Sequence, residues 1–397
     1  MDQETMGKFL IDCLCREFDD KKAALLRGAD WDSLIQFAIK HNLAPLLYHR
    51  LKTIYPSVKL HKAYLISARR NTRLYNDFSK IINALGNIPV IALKGAHLAQ
   101  NVYANIALRP MNDVDILVKK TDLLKAGENL LEMGYISGTS RVGDIEGICA
   151  KYQHLPPFTK PDAFPVDIHW TIVLPSSPFR IDIDGVWKRA QPARIAGVDV
   201  LVLSPEDLLL HLCLHTSFQH LFRNGLSGFY DIWETLRHYQ GEINWEQLML
   251  RSRQWRASKT VYISLYLAKT LFDAVVPNEV LDRLKPEDLE PQVVNWAKAQ
   301  LFDKRIYPSI NLIDFWKSKS SLDKLKVFLK RVFLSPEEMA QLYPVHYNSP
   351  RVYFYYLVRL KKLFFEHISR TWLLLRHDKD MVNVSKRTYA LQEWLSR

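Results

Sequence analysis

Four cysteines in 397 residues, Cys13, Cys15, Cys149 and Cys213, are too few and too scattered to build a disulfide framework, and no C-x-x-C pair offers a four-cysteine zinc site. The expected home is reducing cytoplasm. Nowhere does the chain approach the run of about eighteen apolar residues needed to span a bilayer. The N-terminal MDQETMGKFLIDCLCREFDD has acids on both sides of a short apolar stretch, without the basic start and long apolar core of a signal peptide. Internal repeats and low-complexity segments are also missing, which excludes a solenoid or a linker-like chain. A hydrophobic content of 48% argues against disorder, and the length allows two or three packed units.

The formal net charge is +12, and it is unevenly placed. Residues 301–397 hold 18 Lys and Arg against 9 Asp and Glu. This asymmetry points to an anionic partner at the C-terminal end, with a solvated basic face as the competing reading. Within it, Val352 to Leu375 is aromatic and basic, a pattern that reads first as one helix packing its aromatic side inward.

Residues 1–87 read as an N-terminal helical region, in which Leu34, Phe37, Ala38, Leu43, Leu46, Leu47 and Leu51 recur at helical spacing after a cap in Trp31-Asp32-Ser33. The expected role is a helical layer over one side of a sheet, with no chemistry of its own. Residues 88–203 change to short β-like runs: Pro89 to Leu93, Val114 to Val118, Tyr135 to Ser137, Tyr152 to Thr159 and Pro165 to Ile172. Between them Thr121 to Met133 reads as a helix with Thr121 as N-cap, Leu123, Leu124, Leu130 and Leu131 as its apolar face and Gly134 as its stop. Strands interleaved with helices but joined by hairpin-like links imply a mixed α+β sheet. Residues 204–300 form a second helical region that starts at Ser204-Pro205-Glu206-Asp207 and runs first to about Phe222. Residues 301–397 complete the chain as a basic helical region.

The chemistry gathers in IALKGAHLAQNVYANIALRPMNDVDILV, from Ile91 to Val118. Side chains alternate along a strand, so Asp113 and Asp115 project from one face with Cα atoms about 6.6 Å apart. Two carboxylates held together at a strand's start are costly unless a cation sits between them. Mg²⁺ suits them, being a hard ion that takes one or two carboxylates and completes its shell with water and phosphate oxygens. Downstream, Val166-Asp167-Ile168-His169-Trp170 places Asp167 and His169 on a common face.

These pieces resemble the nucleotidyltransferase superfamily typified by DNA polymerase beta, and more narrowly a branch of uncharacterised bacterial nucleotidyltransferases. The shared pattern is Leu93-Lys94-Gly95, a short helix, Arg109, Asp113, Asp115 and Val118, a helix ending in Gly134-Tyr135, and a later strand with Asp167 and His169-Trp170. The resemblance implies a polymerase-beta-like mixed sheet at 88–203, flanked by helical regions. It also implies Mg²⁺-dependent transfer of a nucleoside monophosphate from a nucleoside triphosphate such as ATP to an acceptor hydroxyl, with release of pyrophosphate. Asp113, Asp115 and Asp167 would be the catalytic, metal-holding acids, and Lys94, Gly95, Arg109 and His169 would bind the nucleotide. The acceptor stays open among small molecule, polysaccharide, protein and RNA. Where the superfamily usually has Gly-Ser or Gly-Gly, this chain has Gly95-Ala96, so backbone N–H groups, Lys94 or Arg109 must hold phosphate without a hydroxyl's help.

Two other readings of the motif stand beside this one. A glycosyltransferase also uses D-x-D to hold a metal on a sugar nucleotide, but normally after a substantial α/β segment rather than after helices. A nucleotidyltransferase that has lost catalysis would bind nucleotide or polyanion only. Elsewhere, His211, Cys213 and His215 share a helix, but two histidines do not close a zinc site, so they read as core or cleft-lining residues. Arg223 and Asp231 are candidate cleft groups on the same helical region.

Overall fold

The computed structural model describes residues 2–16, 30–137, 145–302, 333–336, 339, 343, 348–362 and 379–397. The chain forms two compact units, Met1–Ile136 with Asp144–Asp303, and Ser137–Gly143 with Lys304–Arg397. The first carries all the candidate residues.

Among the described residues four helices come first, α1 (Gln3–Cys15), α2 (Trp31–Lys40), α3 (Ala44–Leu51) and the long α4 (Val58–Leu85). Asp30, rather than Trp31-Asp32-Ser33, caps α2, its side chain accepting from the backbone N–H of Ser33. Seven strands follow: β1 (Ile91–Ala92), β2 (Val114–Leu117), β3 (Ile136–Ser137), β4 (Phe158–Thr159), β5 (Val166–His169), β6 (Gln191–Ile195) and β7 (Val198–Val202). Their order across the sheet is β3-β4-β5-β2-β1-β7-β6. β2 runs antiparallel to β1 and parallel to β5, and β1 runs parallel to β7. The fold is the mixed α+β architecture expected from the sequence.

Several local expectations give way to packing. The helix after β2 starts later than Thr121, because a 3₁₀ turn at Lys120–Asp122 precedes Leu123–Glu132. Of its four expected apolar-face leucines only Leu123 and Leu130 are buried, beside Ala126 and Gly127, while Leu124 and Leu131 face solvent. Gly134 ends it as expected, at φ +83°. The expected strand Tyr152 to Thr159 shrinks to β4 and an isolated bridge between His154 and His169. β6 and β7, an antiparallel hairpin, had no separate sequence expectation.

Ser204 caps the next helix as expected, accepting from Asp207 N–H, but this helix covers Pro205–Cys213 and passes into a π-helical turn, Leu214–Gln219. Leu221 and Phe222 then close the segment with positive φ and fully buried side chains. Left-handed backbone at two large residues is strained, and burial of both holds it. Asp207, read from sequence as a first-turn acid, is wholly buried between Arg189 and Arg251, which tie the helix start to its neighbours.

In the second unit, residues 351–362 are helical. Tyr353, Phe354 and Leu357 there are each more than half exposed (69%, 63% and 64%), against the expectation of an inward-packed aromatic side. The rest of that stripe, 363–375, lies outside the described residues.

Candidate active site

Parallel pairing of β2 with β5 sets Asp115 opposite Asp167, with Leu117 opposite His169. Carboxylates on neighbouring strands in one register repel unless something neutral or positive intervenes. Two groups intervene at Asp115. Lys94 Nζ lies 3.0 Å from its Oδ2, and His169 Nε2 lies 3.0 Å from its Oδ1. Burial pushes the Asp115 carboxyl up, but the Lys94 ammonium and the His169 hydrogen bond outweigh it and hold the group well below the usual carboxylate range. His169 is itself buried, which lowers its pKa against the pull of Asp115, so the neutral ring donates through Nε2. Nδ1 is then left buried without a partner.

The other two acids lack such partners. Desolvation and then the Asp115 charge raise the Asp113 carboxyl, just before β2. Asp167 is likewise raised, first by burial, with Asp115 adding and His154 and Lys94 opposing. Its Oδ1 is buried with no hydrogen-bond partner. Among the described residues, Asp115, Asp167 and His169 bring ligand atoms within 4.8 Å of one another. Two carboxylates and a histidine so close together, one carboxylate oxygen among them without a partner, fit a divalent cation.

Lys94 and Gly95 begin a four-residue helix, Lys94–His97, that turns into a π-helical segment, Leu98–Val102. π-turns accumulate at functional sites because they displace side chains from the helical register. A second one carries His215. A Cβ on Gly95 would stand 3.3 Å from both Arg109 Nη1 and Met111 Sδ, so close approach of that loop favours glycine. Arg109 itself is committed elsewhere. Its Nε and Nη2 donate to the two oxygens of Asp231 at 2.8 and 2.9 Å, and Tyr103 donates to Asp231 at 2.7 Å. Asp231 thus clamps Arg109, leaving Nη1 toward Gly95. Arg223 is half-buried in the turn after the second π-segment.

Sequence reasoning expected no chemistry in the first 87 residues, yet α4 shapes the site. The amide of Asn71, wholly buried, donates to the carbonyls of Ile106 and Arg109, and its oxygen accepts from Met111 N–H. It therefore templates the loop that delivers Asp113. The available signal was a polar residue within the stripe Leu60, Ser67, Asn71, Leu74, Phe78, Ile81. His154 was also missed. Its Nδ1 donates to the Leu155 carbonyl at 2.6 Å, and it stands opposite His169 on the site's side of β5.

His211 and Cys213 are buried, and no metal-competent group of three includes them or His215 among the described residues. Burial drives the His211 pKa down to about 3, with Lys94 and His169 adding, so its ring packs neutral behind the site.

A family model described as an uncharacterised nucleotidyltransferase matches residues 27–273. The chain belongs to that nucleotidyltransferase family. It is accordingly a transferase, and membership implies a nucleoside triphosphate as substrate and displaces the glycosyltransferase reading. The matched span of this nucleotidyltransferase contains Lys94, Gly95, Arg109, all three acids, His169 and Asp231. No curated protein and no solved structure matches the chain. No helix among the described residues is long and apolar enough to cross a membrane.

Proposed function

We propose that this nucleotidyltransferase uses Mg²⁺ to transfer a nucleoside monophosphate from ATP or another nucleoside triphosphate to an acceptor hydroxyl, releasing pyrophosphate. The observation that carries the reading is the register of β2 against β5, which sets Asp115 and its orphaned neighbour Asp167 side by side. Asp113 and Asp115 would hold an ion at the triphosphate, and Asp167 would help hold a second at the acceptor hydroxyl. Mg²⁺ bound there supplies charge neutralisation at the triphosphate and lowers the pKa of the attacking hydroxyl.

The chain's own residues account for the rest. Lys94, 3.0 Å from Asp115, is the ammonium nearest the acids and serves a phosphate oxygen. Gly95 lets the backbone approach the phosphates, in place of the hydroxyl that Ala96 lacks. Arg109 keeps Nη1 toward that loop while Asp231 fixes the guanidinium plane, so it positions charge without rotamer freedom. His169 holds Asp115 in one rotamer. Asp167, with an uncommitted oxygen, faces the acceptor hydroxyl for in-line attack on the α-phosphorus. We further propose the division of labour expected from sequence: a catalytic core at 88–203, helical regions at 1–87 and 204–300 that frame it, and a basic helical region at 301–397.

Calorimetric titration of a non-hydrolysable ATP analogue with Mg²⁺ tests the assignment. Asp113→Asn should lose Mg²⁺-dependent binding. Asp167→Asn should retain most of it while turnover falls by orders of magnitude, as for a group acting mainly in the transition state. Undiminished Mg²⁺-dependent binding in Asp113→Asn, or normal turnover in Asp167→Asn, contradicts the proposal.

A further inference from the structure

α4 carries six Lys or Arg residues and one acid, and its cations are arranged with helical regularity. Lys62, Arg69, Arg73 and Lys80 follow one another at intervals of seven, four and seven, which places them on a single stripe. All four are exposed, as is Arg70 beside them. Among the described residues none of the five is paired with a carboxylate. Lys59, off the stripe, is the cation of α4 that has one, Asp32. The helix's acid, Asp77, is half-buried and accepts from Phe164 N–H. At 1.5 Å per residue the stripe from Lys62 to Lys80 is about 27 Å long.

Its position gives the charge a direction. Arg70 Nη1 donates to Asn112 Oδ1 at 2.6 Å, next to Asp113, and Arg73 Nη2 donates to the Asp162 carbonyl at 3.1 Å, in the loop that feeds β5. The middle of the stripe therefore borders both loops that deliver the carboxylates. A nucleoside triphosphate is far too short to use 27 Å of cations. A stacked nucleic-acid strand carries one charge per about 3.4 Å of axis, so the stripe spans at most about eight phosphates. Three of the five cations are arginines, whose planar forks match phosphate oxygens.

Resting on the nucleotidyltransferase reading, we propose that the acceptor is a single-stranded nucleic acid laid along the α4 stripe, with its terminal hydroxyl delivered past Asn112 to the acids. Exposed Ile66, between Lys62 and Arg69 on the same stripe, gives the strand an apolar contact amid the charges. Phosphate contacts of this kind position a chain without reading its sequence. The surface thus predicts weak sequence preference and strong salt dependence.

Fluorescence anisotropy of a labelled 20-nucleotide RNA with the full-length protein, from 50 to 200 mM salt, tests this. The wild type should bind saturably. A Lys62→Glu/Arg69→Glu variant should bind at least tenfold more weakly, with a salt slope shallower by about 1.4, since each single-strand phosphate contact contributes about 0.7. Lys361→Glu/Lys362→Glu, on the exposed 351–362 helix, should leave affinity near wild type. Mg²⁺-dependent binding of an ATP analogue, measured on the same preparations, should survive in both variants and reports folding. No RNA binding by the wild type, an unchanged slope in the α4 variant, or loss confined to the C-terminal variant overturns the stripe. RNA binding intact with no nucleotide binding would instead remove the reading it rests on.

Discussion

Asp115 is held charged by Lys94 and His169, whereas desolvation and the Asp115 charge push Asp113 toward its protonated form. Asparagine at the two positions should therefore act in opposite directions on the apoprotein. Asp115→Asn leaves a nearly buried ammonium without its carboxylate, a loss of about 3 kcal/mol. Asp113→Asn removes repulsion and should leave the midpoint of denaturant unfolding unchanged or raised. Equal destabilisation by both would show that the Lys94–Asp115 pair carries no special weight. Buried histidines supply a pH signature at the same scale. His97 is held down to about 4 and His211 to about 3 by burial, against an ordinary value near 6.5. Depressed pKa values mean that the unfolded chain takes up protons first, so stability is complete above about pH 6.5 and declines as pH falls toward 4. Near pH 5 each ring should have cost about 2 kcal/mol. Urea midpoints at pH 7 and pH 5 measure the decline, and a flat profile between them contradicts it.

At the scale of elements, the strands that carry the acids were legible because alternation and β-branching are local signals. Asp115, Asp167 and His169 share one side of the sheet as alternation required, and His169 orients Asp115. What stayed hidden was set by distance along the chain. Nothing within Arg109's neighbourhood announces that Asp231, 122 residues away, takes two of its nitrogens. Nor does periodicity separate Asn71 from a solvent-facing polar residue until the loop at 106–111 is packed against α4. The same tertiary packing overrode the expected Thr121 cap and ended the helix after Ser204 early, where burial of Leu221 and Phe222 decides the backbone. Asn71→Ala should cost about 3 kcal/mol, because two carbonyls and one N–H lose their partner in a buried setting. It should also weaken Mg²⁺-dependent nucleotide binding, since the loop it fixes carries Arg109 and leads to Asp113. A variant that loses stability but binds nucleotide as the wild type does would show that Asn71 supports the fold alone.

For the whole molecule, the family match at 27–273 lies almost entirely within the first compact unit and stops well before the basic C-terminal quarter. Net charge drew attention to that quarter, where the positive excess is greatest by count. Among the described residues of the first unit, α4 carries cations beside the loops that deliver the carboxylates, where one long helix converts a scattered composition into a line. If Asp113, Asp115 and Asp167 catalyse nucleotidyl transfer, the fate of label from ATP shows it most directly. Wild-type protein with Mg²⁺ and a mixture of cellular RNA and small molecules should move ³²P from the α position, but not from the γ position, onto an acceptor. Asp167→Asn should move neither. Transfer of γ-label would make the chemistry phosphoryl rather than nucleotidyl transfer, and α-label transfer undiminished in Asp167→Asn would contradict the site.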